Sequence, residues 1–154
     1  MSMHCFVDAY LDGNTVTRRL QTGILIFCNR APIICHSKQH NIVETSTFGS
    51  EFTATKNAVE LIEALIYKLC MFGVPFEGPT NEFCDNEEVY KNTSIPESVL
   101  RKKHHIISYY RCREAVAAKT FRIAKEGMWT NLSYLFTKIL LIVRQDELLE
   151  KFIY

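Results

Sequence analysis

The sequence lacks a long apolar segment and lacks any pair of cysteines at metal-binding spacing. Its longest apolar runs, residues 23–28 and 139–143, are far too short to cross a bilayer, so no membrane partner is expected. The six cysteines are widely spread without a CxxC pair, which argues against a zinc site and a disulfide framework and favours buried free thiols. No basic region followed by a long apolar one marks a secretory signal, and we therefore expect an intracellular protein.

An excess of charge of one sign is also lacking, because the formal net charge is only +1. The distribution is uneven, however: residues 77–97 are acidic, whereas residues 101–105 together with Arg111 and Arg113 are basic. Such a split suits a protein that holds cations at one place and phosphates at another, although solvated helix faces would look similar. The chain has no internal repeat or long linker, and its length predicts a single domain over residues 1–154.

The hydrophobic pattern predicts an α/β protein. Three short strands joined by tight connections form an antiparallel meander, and two later strands, each preceded by a helix, should run parallel to the first. The result is a mixed five-stranded sheet flanked by helices. The predicted strands cover residues 4–10, 20–28, 33–37, 81–84 and 120–124. The predicted helices run from an N-cap within 45–47 to about 71, from 85 or 86 to about 92, and over 99–118, 129–143 and 146–152, the last two forming a C-terminal helical extension over about 128–154.

Three acidic residues belong to predicted elements that should meet in space. Asp8 follows an apolar triplet of the first strand, Asp85 ends the apolar run of the fourth strand, and Glu51 lies in the first turns of the long helix. If the two strands are parallel neighbours, their carboxyl ends share the kind of crevice in which α/β proteins bind ligands. Unpaired carboxylates at one crevice repel one another, and Mg²⁺ or Mn²⁺ would relieve that repulsion.

Each acid also has an ordinary structural explanation. Asp is a favoured N-cap, so Asp85 could simply cap the helix that follows it. Glu51 could be a helix acid that favours the macrodipole. Two cations roughly 3.5–4 Å apart would instead activate a water and stabilise the leaving oxygen of a phosphodiester. Spacing alone does not decide between these alternatives.

A series of short segments points to a known family. Each segment is weak by itself, whereas their order over nearly the whole chain is specific. The segments are Phe6-Val7-Asp8-Ala9, Arg18-Arg19 with Thr22-Gly23, Ala31-Pro32-Ile33 with Ser37-Lys38, Glu44-Thr45-Ser46-Thr47 with Ser50-Glu51-Phe52, Phe83-Cys84-Asp85-Asn86, Lys103-His104 with Arg113-Glu114, and Asn131-Leu132 with Thr137-Lys138. On these residues the chain resembles the ribonuclease H domain of copia-type (Pseudoviridae-like) retrotransposon polyproteins.

The resemblance implies a ribonuclease H-like fold with strand order 3-2-1-4-5. It implies an endonuclease that hydrolyses the RNA strand of RNA/DNA hybrids by two-metal-ion catalysis, leaving a 5′ phosphate and a 3′ hydroxyl. Asp8, Glu51 and Asp85 occupy the positions of the family's first three metal-binding acids and would hold two Mg²⁺ or Mn²⁺ ions. The expected partners are the hybrid and the reverse transcriptase domain of a parent polyprotein, in the cytoplasm or in virus-like particles.

The chain departs from the family at the fourth acid. The family segment resembles Asn-Leu-Ala-Asp-Leu-Phe-Thr-Lys, whereas residues 131–138 are Asn-Leu-Ser-Tyr-Leu-Phe-Thr-Lys, so that Tyr134 replaces an aspartate. A neutral phenol is a poor magnesium ligand at neutral pH, and one metal position should be weakened. Rescue by the nearby Glu126 is left open. A noncatalytic nucleic-acid-binding module and a structural remnant that binds no nucleic acid therefore stay open beside a weakened or inactive nuclease.

Basic and polar residues are predicted to hold the hybrid. Asn86 would reach a 2′-hydroxyl or a base edge, or else cap a helix. His104 or His105 would assist proton transfer to the leaving oxygen, or else either is an ordinary surface or satisfied histidine. The basic residues assigned to nucleic-acid phosphates are Arg19, Arg101, Lys102 and Lys103.

Overall fold

The computed structural model describes residues 1–11, 19–43, 46–76, 78–100 and 103–153. The strands are β1 (Met3–Tyr10), β2 (Arg19–Cys28), β3 (Ala31–Val43), β4 (Thr80–Cys84) and β5 (Phe121–Lys125). The helices are α1 (Thr47–Met71), α2 (Glu87–Ser94), α3 (Ile106–Ala117) and α4 (Ile142–Ile153), with short 3₁₀ helices at Lys103–His105 and Leu132–Phe136. None of the helices in these ranges has the length and apolarity that a membrane span requires.

The five strands form one mixed sheet in the order β3-β2-β1-β4-β5. β1 is antiparallel to β2, and β2 is antiparallel to β3, whereas β4 is parallel to both β1 and β5. The predicted mixed sheet and its strand order are therefore confirmed. This order places the carboxyl ends of β1 and β4 side by side at one edge of the fold.

Alternation of side chains along β1 and β2 separates two apolar cores, one on each face of the sheet. On one face, Cys5 and Val7 of β1 pack with Phe52 and Ile62 of α1. The core of the other face is smaller and lies beneath the C-terminal segment; its fully or nearly fully buried members are Leu25, Phe27, Leu132, Tyr134 and Leu148. The sheet is thus covered by α1 and α3 on one side and by the segment from residue 132 to α4 on the other.

The prediction of an α-helix over residues 129–143 is wrong. Residues 132–136 form a 3₁₀ helix instead, and α4 begins at Ile142 and continues without the predicted break. Asn131 accounts for the difference, because its Oδ1 accepts from the N–H of Ser133 at 3.1 Å while its Nδ2 donates to the carbonyl oxygen of Val7 at 2.9 Å. This buried link to β1 anchors a short turn on the sheet, where a continuous helix would not fit.

Two other elements differ in length from the prediction. β3 continues to Val43: among the described residues it is an edge strand that pairs only with β2, so its polar side chains can face water. The helix predicted from residue 99 begins only at Ile106. The guanidinium of Arg113 holds the preceding loop by donating to the carbonyl oxygens of Ile95 and Pro96 at 3.0 and 2.7 Å.

The cysteines follow the sequence expectation in part. All six are free thiols, and Cys5, Cys84 and Cys112 are buried as expected. Cys35 and Cys70 are exposed, which corrects the prediction of a wholly buried set.

Glu82 is an acid in the middle of the main core. It lies on β4 between Cys5 of β1 and Ile123 of β5, and its side chain is fully buried. Neither carboxyl oxygen has a hydrogen-bond partner of normal geometry among the described residues. Burial raises the pKa of Glu82 well above its usual range, and the Thr55 hydroxyl of α1 offsets this only in part. The carboxyl therefore keeps its proton to a higher pH in the native protein than in the unfolded chain.

We expect the stability of the protein to fall with rising pH because of Glu82. The unfolded chain releases this proton near pH 4.3 whereas the folded chain retains it, so stability is lost between the unfolded and folded pKa values at about 1.4 kcal/mol per pH unit. Glu82→Gln removes this pH dependence of stability. In urea unfolding, the free energy of unfolding of the variant relative to that of the native protein should therefore rise from pH 5 to pH 8. Glu150→Gln, at an exposed position of α4, is the control; parallel curves for native protein and Glu82→Gln would contradict the prediction.

Candidate metal centre

Three carboxylates from three different elements meet at the carboxyl ends of the central strands. β1 and β4 pair in parallel with Phe6 opposite Phe83, and two residues further along each chain this register brings Asp8 opposite Asp85. Glu51 extends from the second turn of α1. One oxygen of each carboxylate lies within 4.8 Å of the other two. The structure therefore brings together the three acids that the sequence singled out.

Burial makes this cluster costly in the absence of a cation. Asp8 is completely buried and Glu51 is 7% exposed. Burial raises the pKa of Asp8, and it raises the pKa of Glu51 well above its usual range, where the charges of Asp8 and Asp85 raise it further. Oε2 of Glu51 is buried and has no hydrogen-bond partner among the residues that the structure describes. An unpartnered, deeply buried carboxylate oxygen beside two further carboxylates fits a hard cation such as Mg²⁺ or Mn²⁺.

The structure excludes the helix-cap explanation of Asp85. The N-cap of α2 is Asn86, whose Oδ1 accepts from the backbone N–H groups of Glu88 and Val89 at 2.9 and 3.1 Å. The carboxylate of Asp85 does not cap α2 and belongs to the carboxylate cluster. The side-chain oxygen of Asn86 is engaged in the cap, so its predicted contact with nucleic acid is left to its amide N–H₂ group.

Tyr134 lies at the fourth side of the cluster. Its ring is buried, and its hydroxyl donates a hydrogen bond to Oδ2 of Asp85. Burial raises the pKa of Tyr134, and the hydrogen bond to Asp85 raises it further, so the phenol stays neutral and acts as a donor rather than as a metal ligand. Glu126 does not replace it: this residue follows β5, where its N–H donates to the carbonyl oxygen of Cys84, and its carboxylate is not a member of the cluster.

Thr137 and Lys138 complete the site, and sequence reasoning missed their role. The Thr137 hydroxyl donates to Oδ2 of Asp8, and the ammonium of Lys138 lies 3.3 Å from Oδ1 of the same carboxylate. The Lys138 ammonium also lies 3.3 Å from the centroid of the Tyr134 ring. In the sequence, Thr137 and Lys138 are distinguished only as part of the segment that resembles the family. The available signal was a lysine four residues after Tyr134, the residue that replaces the fourth acid.

The segment that carries Tyr134, Thr137 and Lys138 packs closely against β2. A Cβ atom at Gly23 would lie 2.7 Å from Cγ2 of Thr137 and 2.9 Å from the carbonyl oxygen of Ser133, so the approach requires glycine. At the edge of the sheet, the Ser37 hydroxyl donates to the carbonyl oxygen of Phe136 at 2.7 Å. The position of Lys138 is therefore set by packing on the sheet.

The structure places some of the predicted nucleic-acid contacts near the acids. Arg19 lines a surface cavity of about 540 Å³ that Thr137 and Lys138 also line, and is therefore beside the site. Lys103 is exposed at the start of a 3₁₀ helix, which packs on the first turn of α1 through the ring contact of His105 with Phe48 at 5.9 Å. Arg101, Lys102 and the side chain of His104 lie outside the described part of the structure.

Comparisons with known proteins agree with this architecture. The fold is that of ribonuclease H: RNase H1 from the halophilic archaeon Halobacterium salinarum NRC-1 superposes with a TM-score of 0.63 at 16% identity, over 86% of this chain and 91% of that one. The foamy viral protease-reverse transcriptase, in complex with RNA/DNA hybrid, gives a TM-score of 0.56 at 12% identity, over 88% of this chain and 19% of that one.

The sequence comparison is with a transposon protein. The Retrovirus-related Pol polyprotein from transposon RE2 of Arabidopsis thaliana is 24% identical over 138 residues, which are 90% of this chain and 10% of that polyprotein. No family model matches the chain. The chain thus spans about a tenth of the length of this relative, and the predicted resemblance to a retrotransposon polyprotein is confirmed.

Proposed function

We propose that this chain is a copia-type retrotransposon ribonuclease H module that hydrolyses the RNA strand of RNA/DNA hybrids at Asp8, Glu51 and Asp85. The observation that carries the proposal is the buried, unpartnered Oε2 of Glu51, in a cluster whose three carboxylates each place an oxygen within 4.8 Å of the others. The ribonuclease H fold and the transposon relative support it.

The proposed chemistry divides between a cation and the chain. A divalent cation, Mg²⁺ or Mn²⁺, supplies Lewis-acid charge for the attack of water on a phosphodiester. The three acids would bind the cation at the carboxyl ends of β1 and β4. The family resemblance predicts two such ions. Tyr134 orients Asp85 through its hydroxyl, and Lys138 offsets the charge of Asp8. Asn131 and Gly23 keep this fourth side of the site against the sheet.

The surroundings of the cluster suit a phosphate-bearing substrate. Arg19 at the neighbouring cavity and Lys103 at the exposed 3₁₀ helix are proposed phosphate contacts, and Arg101 and Lys102 are proposed with them. Asn86 and His104 keep their proposed roles at a 2′-hydroxyl and at the leaving oxygen. The relative is a Pol polyprotein, and the proposal therefore includes a reverse transcriptase domain as partner, in the cytoplasm or in virus-like particles.

A hybrid-cleavage assay tests the proposal. The purified chain is incubated with an RNA/DNA hybrid labelled on the RNA strand, in Mg²⁺, in Mn²⁺ or in EDTA, and with a DNA duplex of the same sequence as control. We expect RNA fragments with 5′ phosphate and 3′ hydroxyl ends in the presence of either cation, no product in EDTA and no cutting of the DNA duplex. Equal cleavage in EDTA, or no product with either cation, would contradict the proposal.

A second candidate function is a binding module without catalysis. The observation that favours it is that Tyr134 and Lys138 already provide partners for Asp85 and Asp8 inside the protein. Such a module would bind the hybrid with an affinity that falls steeply with salt, because phosphate contacts release counterions, yet it would not cut the RNA in Mn²⁺. Fluorescence anisotropy with a labelled hybrid at several salt concentrations measures this. Absence of any salt-sensitive binding would leave a structural remnant.

A further inference from the structure

The charges of the site match one divalent cation better than two. Three carboxylates converge there, and the ammonium of Lys138 is already in contact with Asp8. The charges of one divalent cation and this ammonium add up to +3, which balances the formal charge of −3 on the three acids. Two divalent cations together with the ammonium would leave an excess of two positive charges at a site where Asp8 is completely buried and Glu51 is 7% exposed, and charge imbalance at buried groups is costly.

Lys138 is held at this place by more than one contact. Its ammonium lies between Oδ1 of Asp8 and the face of the Tyr134 ring, 3.3 Å from each. The side chain of Lys138 is only 28% exposed, and the backbone beneath it is held by the close approach to Gly23. The electron-rich face of a tyrosine ring attracts an ammonium ion. The neutral hydroxyl of the same tyrosine donates a hydrogen bond to Asp85.

One sequence difference therefore has two consequences. A tyrosine at position 134 takes away a carboxylate that would bind a second cation, and it provides a ring against which a fixed cation rests. We propose that the Lys138 ammonium is a built-in cation of this site, so that the three carboxylates bind one divalent ion per chain instead of two. This inference rests on the proposed function, because it concerns the same acids.

The number of bound ions tests the inference directly. Mn²⁺ is titrated into the complete chain, and the free ion is followed by electron paramagnetic resonance; we expect one Mn²⁺ per chain in the native protein. In Lys138→Met the competing charge is gone, and Mn²⁺ should bind about tenfold more tightly or better. Lys68→Met is the matched control, because Lys68 is exposed on the same helix as Glu51 but about 25 Å along its axis. Its Mn²⁺ affinity should equal that of the native protein.

The outcomes separate the inference from the proposed function. Two ions in the native chain, or equal affinity in Lys138→Met and Lys68→Met, would overturn the inference even if the hybrid is cleaved. One ion with the expected gain in affinity would uphold it even if no RNA is cut, and the nuclease proposal alone would then fail. No bound Mn²⁺ in any variant would overturn both. The count in the native chain decides even if Lys138→Met fails to fold.

Discussion

Asp85→Asn is expected to lower the rate of hybrid cleavage by about a thousandfold or more, which corresponds to about 4 kcal/mol or more of lost transition-state stabilisation. Asp85 supplies one of the three carboxylates that the described residues bring to the cluster, and Tyr134 offers no charge to replace it. An amide oxygen of the same size is a much weaker ligand for a hard cation than a carboxylate. The loss should therefore appear in both Mn²⁺ affinity and rate.

The variant should nevertheless stay folded. The N-cap of α2 is Asn86, so the helix start does not depend on position 85. The substituted amide can still accept the Tyr134 hydroxyl. The negative charge of Asp85 raises the pKa of Glu51, and its removal relieves repulsion in the cluster. The free energy of unfolding without metal should consequently be unchanged or higher by about 1 kcal/mol, which distinguishes a lost site from a lost fold.

The measurement is single-turnover cleavage of labelled hybrid in Mg²⁺ and in Mn²⁺, with urea unfolding of the same samples. Asp146→Asn is the control, since it makes the same chemical change at an exposed position of α4. That variant should cleave like the native protein. A native rate in Asp85→Asn would mean that the chemistry takes place elsewhere, and a loss of stability equal to the loss of rate would mean that Asp85 is structural.

The meeting of the three acids could be predicted because it follows from strand direction. Asp8 and Asp85 each end an apolar run, and helix-separated strands are parallel, so both carboxylates reach the same edge of the sheet. Glu51 follows from the position of the helix start. Alternation with period two and helical spacing carry this information locally, and the connection rules supply the rest.

The fourth side of the site could not be predicted in the same way. The 3₁₀ helix exists because Asn131 donates to Val7, a contact across 124 residues of sequence that no local pattern contains. The apolar residues that follow have helical spacing, which a tertiary contact overrides. Arg113 is a similar case, because basic composition does not reveal whether a guanidinium faces nucleic acid or holds a loop of its own chain.

Tyr134→Asp is expected to raise the cleavage rate by about a hundredfold, equivalent to about 2.7 kcal/mol of barrier. The change removes the ring against which Lys138 rests and places a fourth carboxylate beside Asp85. Four acids then face the site, so the excess positive charge of two divalent ions and the ammonium falls from two to one, and Lys138 has lost the ring against which it rests. Mn²⁺ titration of this variant should accordingly give two ions per chain.

The gain has a cost in stability. Tyr134 packs with Leu25, Phe27, Leu132 and Leu148, and truncating a buried aromatic residue costs about 3–5 kcal/mol. This is a large part of the 5–15 kcal/mol typical of a domain, so the free variant should unfold at lower urea concentration. Bound cations favour the folded state by mass action, and saturating Mn²⁺ should restore part of the loss. Cleavage is therefore measured at saturating Mn²⁺ and low temperature.

Tyr134→Asn separates charge from size. Its side chain has nearly the volume of aspartate, and it equally removes the ring and the hydroxyl, but it adds no negative charge. If the fourth carboxylate is what the native site lacks, the aspartate variant should gain rate and a second Mn²⁺ while the asparagine variant gains neither. Equal gains in both would show that the tyrosine acts only as an obstacle. If Tyr134→Asp binds a second ion but does not cleave faster, the loss of the fourth carboxylate is not what limits the cleavage rate of the native protein.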